Sequence, residues 1–173
     1  MSDLEIAVAR QSEMTAVANL MQLYIHDFSE LWAGTTNGEL QDDGRFAAYP
    51  SLDTYWSDPD CVPLLIRRQA RLIGFALLNT VSHGGQGVDR NMAEFFIARK
   101  QRRSGAGTAA AQEILSRYPG RWEVAVARRN ISALAFWRNA IARHAKALDI
   151  QETDISTRAW DGPIFRFKIE PAR

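Results

Sequence analysis

The spacing of apolar positions changes several times along the chain, and each change marks an element. Leu4 to Ala9 alternates apolar and polar side chains, which predicts a first strand. Ser12 is placed to cap a helix, and Met14, Val17, Leu20, Met21, Tyr24, Ile25 and Phe28 then recur at helical spacing until the pattern fades near Ser29. Val62 to Arg68 and Arg71 to Thr80 are β-type runs separated by Gln69-Ala70, which predicts a hairpin. Gly74 inside the second run marks a bulge or a close backbone approach. Met92 to Ala98 is a further apolar strand. A basic turn from Lys100 to Gly107 follows, then a helix that opens near Gly105 or Thr108 and runs to Tyr118, where Pro119-Gly120 stops it. Arg121 to Ala127 reads as a strand, and Asn130 caps a helix from Ile131 to about His144. Asp149 to Thr157 and Pro163 to Ile169 read as closing strands, with Asp161-Gly162 as the turn between them.

Three consecutive strands precede the basic turn, which favours a mixed sheet. A purely parallel, doubly wound sheet would need more crossover helices. Residues 30 to 60 carry little periodicity. They hold Gly34, Gly38, Gly44, Pro50 and Pro59, interleaved with Trp32, Phe46, Tyr49, Tyr55 and Trp56. That many aromatics argues against disorder. The stretch is either a wall over a pocket, with a short helix at Ser51 to Trp56, or a loop pinned to the core by its rings. Ser82 to Arg90 is turn-rich, but its three glycines are not followed by the Gly-Lys-Ser/Thr of a P-loop. His83 lies there, read either as solvent-exposed or as a substrate contact.

Length, 173 residues, predicts one domain over 1–173. With 46% hydrophobic and 24% charged residues, the composition is that of an ordinary soluble globular protein. A net charge of +1 removes a bulk electrostatic case for nucleic acid. The single cysteine, Cys61, excludes an internal disulfide and a cysteine-based zinc site. No signal-peptide pattern and no apolar run of about 18 residues occurs, so the expectation is a cytoplasmic protein without a membrane partner or a metal.

The candidate chemistry starts at the basic turn. A helix that begins in glycines presents unpaired N–H groups in one direction, and its dipole adds partial positive charge there. Lys100, Arg102 and Arg103 add full charges beside it. This is the make-up of a phosphate cradle. On the strand before it, Glu94 is the lone carboxylate among apolar residues. Desolvation there would raise its pKa towards that of a general base. It is otherwise a carboxylate on a solvated face, or one paired with an arginine.

Two motifs in order resemble the GNAT superfamily of N-acyltransferases, within a poorly characterised branch of predicted acetyltransferases. Arg102-x-x-Gly105-x-Gly107 follows Ile97 by five positions, and Asn130-x-x-Ala133-x-x-Phe136-Trp137 lies on the helix after the next strand. The resemblance covers Leu4 to Ile169. It implies an α+β, three-layer fold: a mixed, mostly antiparallel twisted sheet of six to seven strands flanked by helices, with a splayed central strand pair. It implies acetyl-CoA as acyl donor and an amine acceptor attacked directly, in a monomer or homodimer. The amides of Arg102, Arg103, Ser104, Gly105, Ala106, Gly107 and Thr108 would hold the CoA diphosphate. Phe95, Phe96 and Ile97 would line the gap for pantetheine, with a backbone N–H near Ile97 on the acyl oxygen. Asn130 would reach the pantetheine arm, and Phe136 and Trp137 would wall it. Glu94 would be the base; some members place that base where this chain has Asn91. Trp137 stands where the family often has a tyrosine acid, leaving Tyr24, Tyr49, Tyr55 and His83 as candidate donors. The first helix and the irregular stretch would take the acceptor, with Asp27 and Glu30 attracting an ammonium and Trp32 stacking on it; Tyr24 and His26 lie at the same helix end. A non-catalytic acyl-CoA-binding domain on this scaffold is the alternative. A nicotinamide-dependent oxidoreductase, suggested by Gly105-x-Gly107-x-x-Ala110, is disfavoured because about 100 residues and several strands precede its glycines.

Overall fold

The structure is a computed structural model that describes residues 3–171. Strands β1 (Leu4–Val8), β2 (Val62–Arg68), β3 (Arg71–Asn79), β4 (Arg90–Ile97), β5 (Gly120–Ala125), β6 (Ala147–Ser156) and β7 (Asp161–Ile169) form one sheet in the order β1-β2-β3-β4-β5-β7-β6. All pairings are antiparallel except β4 with β5. This is the mixed, mostly antiparallel seven-stranded sheet of the expected α+β fold. Among the described residues, no helix is long and apolar enough to cross a membrane.

Helices cover both faces. Helix α1 (Met14–Ser29) buries Val17, Leu20 and Met21 against Leu65, Phe75, Leu77 and Phe96. Helices α2 (Ala106–Arg117) and α3 (Ile131–Ala142) bury Ala110, Ile114, Leu115, Trp137 and Ile141 against Leu64, Ile66, Leu78, Trp122 and Phe165 on the other face. Asn130 caps α3 as expected, its Oδ1 accepting from Ala133 N–H at 3.1 Å. Gly74 is a close approach: a Cβ there would lie 2.1 Å from the Phe96 carbonyl oxygen of the neighbouring strand.

The irregular stretch is tied to α1 and the core by side chains. Gln22 brackets the Phe46 backbone with two hydrogen bonds, Trp56 Nε1 donates to the Ala9 carbonyl, and Tyr55 is buried. Its short helix forms as a 3₁₀ turn at Leu52–Trp56. The closing hairpin departs from expectation. Asp161 and Gly162 are the first residues of β7, and the connection is Thr157 to Trp160, closed by Thr157 N–H to Trp160 O. Gly162 serves contact: a Cβ would sit 2.2 Å from the Val126 carbonyl.

Candidate active site

The turn before α2 keeps its amides free. Arg102 N–H is bonded to the Arg99 carbonyl, and the first α2 amide with a backbone acceptor is Ala109, bonded to Gly105 O at 3.0 Å. Among the described residues, the amides of Arg103, Ser104, Gly105, Ala106, Gly107 and Thr108 have no protein acceptor. Two of these residues have positive φ, Arg103 at 60° and Gly105 at 83°, which turns the chain tightly enough to gather the N–H groups. A Cβ on Gly107 would touch Phe136 and Ile97 at 3.5 and 3.6 Å, so this glycine lies where α2, α3 and the end of β4 meet. An open groove of about 350 Å³ continues from there between α2 and α3, past Thr108, Phe136 and Arg143.

Next to the turn the sheet opens. β4 and β5 pair only at Arg90 with Trp122 and Asn91 with Glu123. Ala98 N–H bonds to Ile73 O in β3. Antiparallel alternation then points the backbone N–H of Phe95 and Ile97 away from β3, into the gap. Val126 N–H bonds to Pro163 O, which by the same rule turns the peptide edge of Ala125 towards the gap from the β5 side. Phe95, Phe136 and Trp137 wall the gap on the α3 side, with ring centroids 5.0 to 5.6 Å apart. Trp137 is buried.

A β-bulge decides where Glu94 points. The β3–β4 register slips between Leu77 and Leu78, so Leu77 faces Glu94 while Leu78 faces Met92, and Ala93 is the extra residue. Met92 packs on the α2–α3 side, whereas Ala93 and Phe96 pack on the α1 side. The bulge therefore brings Glu94 to the α1 face, beneath Tyr24 and Tyr49. Burial pushes the Glu94 carboxyl above its ordinary range; the Tyr24 and Tyr49 hydroxyls and the nearby His83 offset only part of that. Burial and the Glu94 charge push Tyr24 and Tyr49 upward, so both phenols stay protonated and can donate to the carboxylate. Burial also pushes Tyr55 up to about 12. Tyr55 continues the polar network, its hydroxyl accepting from Asn79 Nδ2 at 3.1 Å, and Asn79 Oδ1 accepts from Asn91 Nδ2 at 2.9 Å. Asn91, at the last β4–β5 pair, is buried and its Oδ1 has no partner.

A wholly buried carboxylate, Glu123, sits on β5 at the last β4–β5 pair. Glu123 has no exposed surface and accepts from Ser82 Oγ at 2.7 Å, His83 N–H at 2.6 Å and Arg166 Nη2 at 2.8 Å. Burial alone would raise its pKa; the donors from His83, Ser82 and Arg166 outweigh that and bring it down to about 2. Its signal in the sequence, one acid in an apolar strand, is the one that picked out Glu94. What it lacked was the counter-charge, because Arg166 arrives from β7.

Two assignments made from the sequence need correction. Asp27 is ion-paired with both Arg99 and Arg102, and these hold it below its ordinary pKa against the effect of burial, so it is not a free ammonium anchor. Arg102 is committed in turn: its Nε donates to Ile97 O at 2.7 Å, and its guanidinium binds Asp27. Its amide is satisfied as well, so the free charges beside the cradle are Lys100 and Arg103, which form no ion pair among the described residues. Trp32 is half-buried, tilted against Phe28 at 5.4 Å and next to Gly38. Asn130 uses its Oδ1 as the α3 cap, and its Nδ2 makes no hydrogen bond among the described residues.

A family model described as the acetyltransferase (GNAT) family matches residues 17–140. No curated protein sequence matches. Solved structures do. An acetyltransferase of the GNAT family from Streptococcus agalactiae superposes with a TM-score of 0.65 at 11% identity, covering 98% of this chain and 96% of the other. The ribosomal-protein-S18-alanine N-acetyltransferase from Escherichia coli gives 0.56 at 13% identity, over 98% and 96%. An aminoglycoside acetyltransferase in complex with coenzyme A and kanamycin gives 0.62 at 13% identity, over 96% and 94%. At such identities the structures speak for the fold, while the family model spans most of the chain and includes the free amides, the opened strands and Glu94. The chain belongs to the acetyltransferase (GNAT) family.

Proposed function

We propose that the chain is an acetyl-CoA-dependent N-acetyltransferase in which an amine attacks the thioester directly. The observation that carries this reading is a strand pair parted from Met92 onward beside six free amides at the start of one helix. Those amides suit a diphosphate, with Lys100 and Arg103 adding charge. The inward N–H groups of Phe95 and Ile97 suit the pantetheine amides and the acyl oxygen, the second as an oxyanion donor. Glu94 is the base that takes the ammonium proton, and Tyr24 and Tyr49 hold its carboxylate in place. The amine approaches from the α1 face, because Phe136 and Trp137 close the other side. As the tetrahedral adduct collapses, its nitrogen gives up a second proton to water, and the departing thiolate is protonated by water, since Trp137 offers no acidic proton.

Trp137 is also the observation favouring a second reading, an acyl-CoA-binding domain without turnover. Thermal shift with coenzyme A, acetyl-CoA and NAD, followed by CoA release over a panel of amines, separates the two. Stabilisation by the CoA ligands but not NAD, with release dependent on an amine, is expected. CoA binding with no turnover of any amine would favour the second reading, and stabilisation by NAD alone would end both.

A further inference from the structure

Two hollows flank the turn that carries the free amides, and they differ in size and charge. The larger is the groove of about 350 Å³ between α2 and α3, with Thr108 at the cradle and Arg143 at the end of α3 on its walls. The smaller, of about 180 Å³, lies on the other side of the turn, beside Ser104, Gly105, Asp3 and Arg68. Small-molecule ligands take pockets of about 300 Å³ upward, so of the two only the first suits a nucleoside. Charge points the same way. Arg68 is spent on Asp3 at 2.8 Å and on Ser104 Oγ at 3.1 Å, and the Asp3 carboxylate repels an anion. Among the described residues the walls of the α2–α3 groove carry no carboxylate, and Arg143 is their one charge. Its guanidinium forms neither an ion pair nor a hydrogen bond among those residues.

The two helices lie side by side and run in the same direction. A Cβ on Gly107 would meet Phe136 at 3.5 Å, Gln112 Nε2 donates to the Ala140 carbonyl at 2.6 Å, and Ser116 Oγ lies 3.0 Å from His144 Nε2, each pair further along both helices than the last. Ser132, Phe136, Asn139 and Arg143 recur at helical spacing, so one face of α3 walls the groove throughout. Arg143 keeps helical backbone angles at the end of α3. A helical side chain leans towards the N-terminus of its helix, which brings the guanidinium back towards the cradle rather than away from it.

Resting on the proposal that the six free amides hold the diphosphate of coenzyme A, we infer that this groove takes the adenosine end of the molecule and that Arg143 binds its 3′-phosphate. Coenzyme A extends from its diphosphate in two directions. Pantetheine enters the gap between β4 and β5, so the nucleoside must leave the turn on the outer side, where the two hollows lie. Phe136 serves both ends: its ring stacks on Phe95 in the gap and also walls the groove, where it offers an apolar surface to the base. Ser132 and Asn139 offer polar groups to the ribose. A phosphate monoester carries almost two negative charges and three acceptor oxygens, which the planar fork of a guanidinium matches. The chain therefore distinguishes coenzyme A from 3′-dephospho-coenzyme A, through a contact remote from the acyl carbon.

A cation at a helix C-terminus also gains from the helix dipole, whatever ligand is bound. The test therefore compares two ligands that differ only in the 3′-phosphate. Coenzyme A and 3′-dephospho-coenzyme A are titrated calorimetrically into the full chain as wild type, Arg143→Ala, Arg143→Gln and Arg68→Ala, with thermal unfolding of each variant alongside. Wild type should bind coenzyme A about 10-fold tighter than the dephospho ligand, the scale of hydrogen bonds to a charged group. In both Arg143 variants the two affinities should become equal, because coenzyme A binds more weakly while the dephospho ligand is unaffected. Arg68→Ala should keep the wild-type ratio. Equal affinities in wild type, or a ratio that survives in the Arg143 variants, would overturn the assignment and leave the diphosphate cradle standing. A ratio lost in Arg68→Ala instead would overturn it in favour of the smaller hollow. A wild-type chain that binds neither ligand overturns the cradle and the groove together.

Discussion

Arg166→Met is the perturbation whose size the structure sets most directly. Methionine fills most of the arginine stem but removes the charge that faces Glu123. Glu123 is wholly buried, and its carboxyl falls from 4.5 to about 2. At about 1.4 kcal/mol per pKa unit this linkage is worth roughly 3 kcal/mol. The His83 side chain, Ser82 and the His83 backbone each lower the carboxyl more than Arg166 does and stay in place, so the linkage lost is the smaller part of that. The variant also leaves an ion in the interior without its counter-charge, for which breaking buried pairs costs about 3–5 kcal/mol. The expected loss at neutral pH is therefore about 3 kcal/mol, or about 6–12 °C in Tm for a chain of this length. The sign with pH follows from the depressed carboxyl. In the wild type this contribution is complete above about pH 4.5 and disappears as pH falls towards about 2. The variant should therefore lie well below wild type at neutral pH and converge on it in acid. Urea denaturation of both proteins across that window measures it. A loss under about 1 kcal/mol at neutral pH, with parallel pH curves, would refute the view that Arg166 holds an ionised Glu123 in the interior.

Three further outcomes are expected. Gly105→Glu should abolish stabilisation by coenzyme A while the protein stays folded, because Gly105 has φ of 83° and open space where a Cβ would go; the left-handed backbone costs only about 1–2 kcal/mol, and retained CoA affinity would remove the cradle from the argument. Glu94→Gln should lower kcat by about 10²–10⁴-fold, flatten the acidic limb of the rate profile and raise stability at neutral pH. The stability gain follows because a carboxyl with a raised folded pKa stabilises the fold in acid and loses that contribution as pH rises; a variant less stable than wild type at neutral pH would contradict it. Tyr24→Phe removes a donor that lowers the Glu94 pKa, so the acidic limb of kcat/KM should move to higher pH, and an unmoved limb would separate Tyr24 from Glu94.

Much of this protein was written in local sequence. The helical spacing of Val17, Leu20 and Met21 placed α1, and the glycines at 105 and 107 after an apolar strand placed the turn that leads into α2, because period and turn chemistry act over a few residues. The lone acid in MAEFFIA was visible for the same reason. Its direction was not. Strand alternation alone would put Glu94 on the face of Met92, and the bulge at Ala93, created by pairing with β3, turned it to the other face. Charges were also misread from neighbours in sequence. Arg102 next to the basic turn is tied to Asp27 from α1. Glu123 drew no reading from its own strand, and its donors come from Ser82, His83 and, from β7, Arg166. Periodicity and turn residues settle which elements form, since each depends on its own backbone. Which faces they turn to each other, and which charges meet, depends on strand register and on partners distant in the chain, and these exist only once the sheet has closed over its core.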